Sequence, residues 1–563
     1  MWQIAVGQPQ PPRDEITSCS VSGEPMVFAG YKRAPDDRES RRTKYRLGCR
    51  GTCAKIRRNY VTPSGNSVAL VVSGMSTNVV DLSATRGKSL NEHPRRKQRG
   101  LRLILVLSVV FIGNAAAQQT TNPPADSVEP DAPGGSHAAS DLRVSGPNPD
   151  GWLYPITRLN ESLPHWIQFG GQFRNRVESE DGLDYAPVDD AYDLTQLRLG
   201  LYFQPTNWFK LVGVTQDSRV FFNHHVATAP PYQNIWDIRE AYAEIGNSND
   251  GWIDLVVGRQ MFSFGDERVI GPSDWLNMGR TFDTARIDLH HAGVKVSIFA
   301  ASVINAIDGQ IDHHIEGNNI YGIYSSLANL LPHTTIEPYL IWRVAPSLVS
   351  LPETEGRGHL SEVTGGARVA GTLDNFDYDV EMNKQTGSLG HDTIDAWAGH
   401  WNTGYTFQTG RIRPRLFTEY NYASGNKNPS GNTWGTHDQI YPSAHDKLSF
   451  ADQFGWRNIE NIRAGVDEKA GKKWTLTEAF AGFWLATKND AVYASSGAIS
   501  LAADPRATSS HLGTELDLIA EYKENRHVSY GFGFCHLFTG EYLNEATHGK
   551  DYNYPFAYVT YLF

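Results

Sequence analysis

One stretch of this chain interleaves cations and anions: "GRQMFSFGDERVIGPSDWLNMGRTFDTARI", Gly258 to Ile287, carries Arg259, Asp266, Arg268, Arg280, Asp283 and Arg286. A guanidinium is permanently charged, and its planar fork pairs with a carboxylate through two parallel hydrogen bonds. A row of such groups can replace the water around the carboxylates of an anionic ligand. The same groups brace a wall when the chain's own carboxylates take the other side, and Asp217, Asp266, Glu267, Asp283 and Glu419 are available for that. Nucleophilic chemistry has less footing. Lipase or protease chemistry needs a nucleophile with a nearby base; there is no G-x-S-x-G elbow, and Ser443 and His445 form an incidental pair.

Metal chemistry is equally thin. Cys49-x-x-x-Cys53 is half a site without a second Cys/His pair. His224-His225, His290-His291 and His313-His314 would point to opposite faces of a strand, and His437 and His445 stand apart. The acidic run "ESEDGLDYAPVDDAYD", Glu178 to Asp193, lacks regular ligand spacing and reads as a solvated external loop. No metal, no cofactor and no nucleic-acid partner are expected.

The elements that would carry the arginines begin at Trp166. In "IQFGGQFRNRVE", Ile167, Phe169, Phe173 and Val177 take one face, and Gln168, Gln172, Arg174, Arg176 and Glu178 the other. In "TQLRLGLYFQ", Leu197, Leu199, Leu201 and Phe203 alternate with Gln196, Arg198, Gly200, Tyr202 and Gln204. Period-2 alternation marks strands with one apolar and one polar surface. The polar face carries large charged residues together with glycine, as a wet lumen would. Aromatics crowd the strand ends at Trp208-Phe209, Trp236, Trp252 and Trp342, where a membrane barrel has its girdles. The turn "QPTNWF" is tight, whereas "FFNHHVATAPPYQN" and "ASGNKNPSGNTWGTHDQIYPSAHDK" are long and polar, the asymmetry of an outer-membrane barrel. About 400 residues in two-faced strands of roughly ten residues plus loops give 16 to 20 strands. The lumen-facing arginines expected from alternation are Arg174, Arg176, Arg198, Arg219, Arg259, Arg268, Arg280, Arg286, Arg343, Arg368 and Arg415.

Upstream, "HPRRKQRGLRLILVLSVVFIGNAAAQQ" has the three parts of a secretory signal: a basic n-region, the apolar core Leu103 to Ile112, and Ala115-Ala116-Ala117 before Gln118. Residues 1–92 are expected to be an upstream extension without fold, 93–117 the signal peptide, 118–160 a disordered periplasmic lead-in, and 161–563 the barrel. Cleavage after Ala117 makes Gln118 the first mature residue. Of 51 Lys and Arg, 19 precede Gln118, against 8 of 62 Asp and Glu, so the remainder carries a formal −22. That balance opposes attraction of an anion unless the acids lie in loops. Of the four cysteines only Cys535 follows the cut, so the mature chain has no internal disulfide. The ending "YPFAYVTYLF" sets Ala557, Val559, Tyr561 and Phe563 on one face, and resembles the signal read by the barrel-assembly machinery, with Phe563 as its last residue.

The block Gly258 to Ile287 closely resembles the signature of the alginate export family of outer-membrane barrels. "FGGQFRNRVE" resembles that family's first strand. "RPRLFTEYNYASGNKNP" followed by "HDQIYPSAH" resembles its late strand, loop and return, and "LGTELDLIAEYKENRHVSYGFGFCHLFTGEYL" its penultimate region. The resemblance implies a monomeric barrel of 18 antiparallel strands, integral to the outer membrane and in contact with its lipid. It also implies that an anionic polysaccharide passes through an arginine-lined lumen. The expected fold is therefore all-β, a single transmembrane antiparallel β-barrel behind a disordered leader. The expected path residues are Arg174, Arg198, Arg219, Arg259, Asp266, Arg268, Arg280, Asp283 and Arg286. The expected function is a non-enzymatic channel for an anionic polysaccharide or oligosaccharide. A general porin for small anionic solutes is the alternative, and a barrel enzyme a second one.

Overall fold

The computed structural model describes residues 16–19, 53–58, 70–71, 141–144, 155–246, 251–346, 358–408 and 412–563. The chain divides into two units, Met1–Thr121 and Asn122–Phe563. In the first, Ile16–Cys19, Cys53–Arg58 and Leu70–Val71 pair as a small antiparallel sheet, where the sequence leads one to expect no fold. The segment "CAKIRR" does alternate small or apolar residues with basic ones, a short strand pattern too brief to stand out. The signal segment 93–117 lies outside the described residues.

The second unit is a closed antiparallel barrel of 18 strands. Its first six are β1 (Ile167–Asp181), β2 (Asp189–Thr206), β3 (Phe209–Phe221), β4 (Asn234–Gly246), β5 (Ile253–Gln260) and β6 (Phe282–His291). Then come β7 (Val294–Asn305), β8 (His313–Leu331), β9 (Thr334–Ala345), β10 (Leu360–Leu373), β11 (Phe376–Leu389) and β12 (Asp392–Thr406). The last are β13 (Ile412–Ala423), β14 (Ile459–Ala470), β15 (Trp474–Leu485), β16 (His511–Lys523), β17 (Val528–Thr539) and β18 (Tyr552–Leu562). Each pairs with its neighbour in sequence, and β18 pairs with β1 to close the ring. In hydrocarbon an unpaired strand edge has no water to satisfy it, so closure is obligatory. The seam runs from Asn553 opposite Asp181 to Leu562 opposite Gln172. Phe563 and Gly171 exchange two further backbone hydrogen bonds, 2.9 and 3.1 Å.

Alternation sorts the two faces as the sequence reading proposes. Phe173, Val177, Leu199 and Leu201 are exposed on the outside, while Arg174, Arg176, Gln196 and Arg198 are buried on the inside. All eight connections at one end of the barrel are short, whereas most at the other end are long. Trp208 and Trp252 project at the short-turn end, and Trp236 and Trp342 toward the other, giving two aromatic girdles.

Two local expectations need correction. Most of Glu178 to Asp193 is not a solvated loop but the end of β1, a turn and the start of β2. Glu178 and Glu180 point inward, and the Tyr192 hydroxyl lies within hydrogen-bond reach of both carboxyl groups. The carboxylate of Asp190 is caged by the N–H groups of His224, His225 and Val226 at 2.6–3.0 Å. Within 118–160, the lead-in expected to be disordered, residues 141–144 and a helix, α1 (Pro155–Ser162), are ordered. Leu142 is buried against Tyr202 and Val212, and its N–H donates to the Tyr202 hydroxyl at 2.8 Å. An inward aromatic beside a short apolar residue is what captures this segment.

Phe480 lies mid-strand on the outward face of β15. Phe480→Arg is expected to cost about 2–4 kcal/mol at that depth. Deleting Phe563 removes the last two hydrogen bonds of the seam, about 1 kcal/mol each. Both variants should show a reduced folded fraction by gel heat-modifiability. Normal levels in both would contradict the lipid-facing assignment and the role of the seam.

Candidate functional site

Two connections do not stay outside the barrel. Residues 261–281, between β5 and β6, and residues 424–458, between β13 and β14, turn inward and pack on the inner wall. Their composition explains why. The first strap carries Phe262, Phe264, Val269, Ile270 and Trp275, and the second Leu448, Phe450, Phe454 and Trp456. Most of these are buried with Tyr324, Tyr339, Phe483, Tyr554 and Phe556 of the wall. Each large apolar side chain so buried contributes roughly 1.5–3 kcal/mol. The sequence reading took the start of the second strap for a long polar external loop; its aromatics lie mostly further on, and they draw it in.

The straps also satisfy each other's backbone, as burial demands. Ile270 and Tyr441 form a parallel bridge. Gly271 N–H donates to Tyr441 O, Tyr441 N–H to Val269 O and Ser443 N–H to Glu267 O, at 2.8–3.0 Å. A side chain at Gly271 would run into Ser443 Oγ, so the crossing requires glycine there. Trp275 lies flat on His445 with ring centroids 3.8 Å apart, edge-on to Phe556 and beneath the Arg176 guanidinium at 3.9 Å.

Asp274, on the first strap, is the anchor. Arg198 grips it bidentately, and Arg239 Nη2 reaches the same carboxylate at 3.0 Å. Burial alone would raise its pKa, but Arg198 and Arg239 hold it well below the ordinary carboxylate range. Arg174 donates to the carbonyls of Asp274, Trp275 and Leu276, and Arg176 to that of Trp275 while pairing with Glu178. Gln196, Ser218 and Gln216 hold the carbonyls of Asn277 and Met278. The wall thus reads the strap backbone as a run of acceptors.

A second node lies across the barrel. Arg268 pairs with Asp266 and with Glu419 of β13, each at 2.9 Å, and donates to Lys447 O; Lys447 Nζ returns to Asp266 at 3.1 Å. Burial opposes the charge on Asp266, yet Lys447 and Arg268 keep its pKa well below the usual range. Arg280 ties the straps by donating to the carbonyls of Gly271 and Pro442. Arg343 of β9 pairs with Asp438 of the second strap. Arg286, Arg368 and Arg415 remain partly open, with side chains 20%, 18% and 24% exposed, although each has carboxylate partners. Arg286 pairs with Asp288 at 3.1 Å; Arg368 with Asp379 and Glu337; Arg415 with Asp377 and with Asp467 at 2.9 Å.

Three of the expected path residues face the wrong way. Arg259 and Asp283 are cross-strand partners, paired at 2.9 Å, in register with Leu255/Ile287 and Val257/Ala285 on the outward face. The run "LVVG" is apolar at both parities, so alternation could not fix which side Arg259 takes. Arg219 pairs with Asp217 at 2.6 Å on the outward face, opposite Thr195 and beside the exposed Phe221. These pairs sit near the external rim, where outward charge is cheap. Nor do Arg259, Arg268, Arg280 and Arg286 share one level: Arg286 lies opposite Val256, three rungs from Arg259.

The family model for alginate export matches residues 165–557. The chain belongs to the alginate export family. Its signature-like block, Gly258 to Ile287, is thus the end of β5, the whole first strap and the start of β6. No curated protein matches the chain. It is similar to solved structures of OccD3 (OpdP) from Pseudomonas aeruginosa, with 12% identity and a TM-score of 0.47 over 71% of this chain and 92% of that one. It is also similar to OccAB1 from Acinetobacter baumannii, with 11% identity and a TM-score of 0.47 over 70% and 96%. A BenF-like porin from Pseudomonas fluorescens Pf-5 gives 9% identity and 0.46 over 70% and 98%. As a member of this family the chain is an integral outer-membrane channel.

Sequence reasoning missed Asp274, Arg239, Asp438, Lys447 and Trp275. Asp274 and Trp275 lie inside the quoted block, and the pairing of a tryptophan with an acid in a connection too long for a turn was the available signal. Ser443 accepts from Ser273 N–H, and His445 pairs with Asp452 at 2.6 Å, so these two serve the strap crossing.

Arg268→Met removes the nearest cation from the buried Glu419, which keeps Arg463 at 3.7 Å, and one of two from the partly exposed Asp266, which keeps Lys447. It should cost about 3 kcal/mol. A lower unfolding temperature with unchanged ion selectivity is the expected result; a selectivity change at unaltered stability would assign Arg268 to the path instead.

His437 gives a pH dependence. Its Nδ1 lies 3.0 Å from the Trp456 carbonyl oxygen, and its Nε2 2.9 Å from Asn383 Oδ1. Burial pushes its pKa down to about 4. Because the folded value lies below the ordinary ~6.5, its contribution is complete above pH ~6.5 and lost as pH falls toward 4, up to about 3 kcal/mol. Hydrogen exchange across residues 424–458 should rise over that window in the wild type, and His437→Gln should flatten the slope. No rise in the wild type would refute the linkage.

Proposed function

We propose that this channel serves export or diffusion of an anionic polysaccharide or oligosaccharide along the inner-wall cations that the straps leave open. The observation that carries this reading is the contrast among inward arginines. Arg174, Arg198 and Arg268 are sealed by strap carbonyls and carboxylates, whereas Arg286, Arg368 and Arg415 keep an open face. Arg286 is held by Asp288, Arg368 by Asp379 and Glu337, and Arg415 by Asp377 and Asp467. Guanidinium N–H groups that these carboxylates leave over can meet a passing carboxylate without reorganisation. Membership of the alginate export family supports the same substrate class.

A second reading, a porin for small anionic solutes, is favoured by the straps themselves. They fill much of the bore with an aromatic core, which suits a narrow solute as well as an extended chain.

Planar bilayers separate the two. Anion preference with block by added oligouronate supports the polysaccharide reading, and anion preference without block supports the small-solute porin. Combined Arg286→Gln, Arg368→Gln and Arg415→Gln should move selectivity toward cations. The move should be larger at 0.01 M salt, where the Debye length is about 30 Å, than at 0.1 M, where it is about 10 Å. Arg259→Gln, on the outward face, should leave selectivity unchanged. Equal anion preference in a folded triple variant would remove these arginines from the path.

A further inference from the structure

Beside the Arg268–Glu419 node, to which Arg463 connects them, β16 and β17 bring together three groups with metal-ligand chemistry. Glu515 and Asp517 of β16 and Cys535 of β17 all point inward and are fully buried. Asp517 and Cys535 are direct cross-strand partners, so the ladder itself fixes their approach. One ligand atom from each of the three lies within 4.8 Å of the others.

The polar accounting around them does not close. Glu515 Oε1 accepts from Ala451 N–H at 2.9 Å, but its Oε2 has no hydrogen-bond partner. The oxygens of Asp517 have no backbone or side-chain N–H donor within hydrogen-bond reach, and the groups against them are the Glu515 carboxyl and the Cys535 thiol. The cation facing this carboxylate, Arg463, stands 4.0 Å away, and its Nη1 is engaged at 3.0 Å by the Asp446 carbonyl. The surroundings belong to the apolar core, with Leu512, Leu537, Phe454 and Phe483. Two adjacent carboxylates in such a place are stable only when a cation or shared protons compensate them. The thiol opposite Asp517 favours a cation: thiolate and carboxylate together suit a borderline divalent ion of the zinc class.

We propose that Glu515, Asp517 and Cys535 form a divalent transition-metal site of the zinc class, which pins the second strap to the β16–β17 wall through Glu515 and Ala451. A divalent ion on two carboxylates and a thiolate leaves one net negative charge, which Arg463 faces. Three protein ligands leave a fourth position for water. Binding releases the protons the ligands carried. The other triad of this kind among the described residues, Asp266, Asp379 and His400, already has Arg268, Arg368 and Lys447 for its carboxylates. The proposal is independent of what the channel carries.

The test uses the full chain with Cys19, Cys49 and Cys53 changed to Ser, so that Cys535 is the only thiol, refolded in detergent after chelation. Titration with Co2+ should give a thiolate-to-cobalt charge-transfer band that saturates at one equivalent and is chased by Zn2+. Cys535→Ser should abolish the band, and Asp517→Asn should weaken Co2+ binding at least tenfold. Because either variant can fail to fold, the parent is also examined by zinc X-ray absorption, where one sulfur at about 2.3 Å is expected. A folded parent with no such band, or a zinc shell without sulfur, overturns the site.

Discussion

The interior of this barrel is organised by a single constraint: charge placed where protein, not water, surrounds it must be matched group by group. Moving an ion of carboxylate or guanidinium size out of water costs several kcal/mol even after relaxation. The wall carries Arg174, Arg176, Arg198, Arg239 and Arg343 facing inward. The straps answer with Asp274, Asp438 and a run of backbone carbonyls. Neither partner would be tolerable without the other, so the position of the straps and the charge of the wall set one another.

The apolar part of the straps works in the same direction. Phe262, Trp275, Phe450 and Trp456 would be exposed on an external loop, and inside they complete a core with the aromatic inner faces of β8, β9, β15 and β18. Burying backbone in this way is possible because the straps pair along Ile270 and Tyr441 and donate to each other. The result is a barrel whose bore is partly filled, with Arg286, Arg368 and Arg415 among the inward cations that keep an open face. Charge that does not serve this interior, at Arg219–Asp217 and Arg259–Asp283, is turned outward near the rim as self-contained pairs.

Much of the fold was legible because a transmembrane strand has two environments. Lipid on one side and a polar interior on the other impose a period of two that survives in "FRNRVE" and "QLRLGLYFQ" without reference to any partner strand. Length bounded the strand number to about 16 to 20, the family resemblance set it at 18, and the girdles followed from aromatics at strand ends. The candidate site was legible only in part. Arg174, Arg198 and Arg286 lie inward on strands whose alternation is clear, and Arg219 and Arg259 do not, because "LVVG" and "TQDSRV" offer no unambiguous parity.

The sequence by itself determined the fold class, the antiparallel order of the ring and the composition of both faces, since these depend on local alternation and on the closure that hydrocarbon enforces. Tertiary structure alone decided which long connections turn inward, that Asp274 and Glu419 are the carboxylates around which arginines gather, and that Glu515 and Asp517 meet Cys535. Those facts depend on register and on contacts between residues far apart in the chain. A charged side chain has no fixed partner until the fold has removed the water around it.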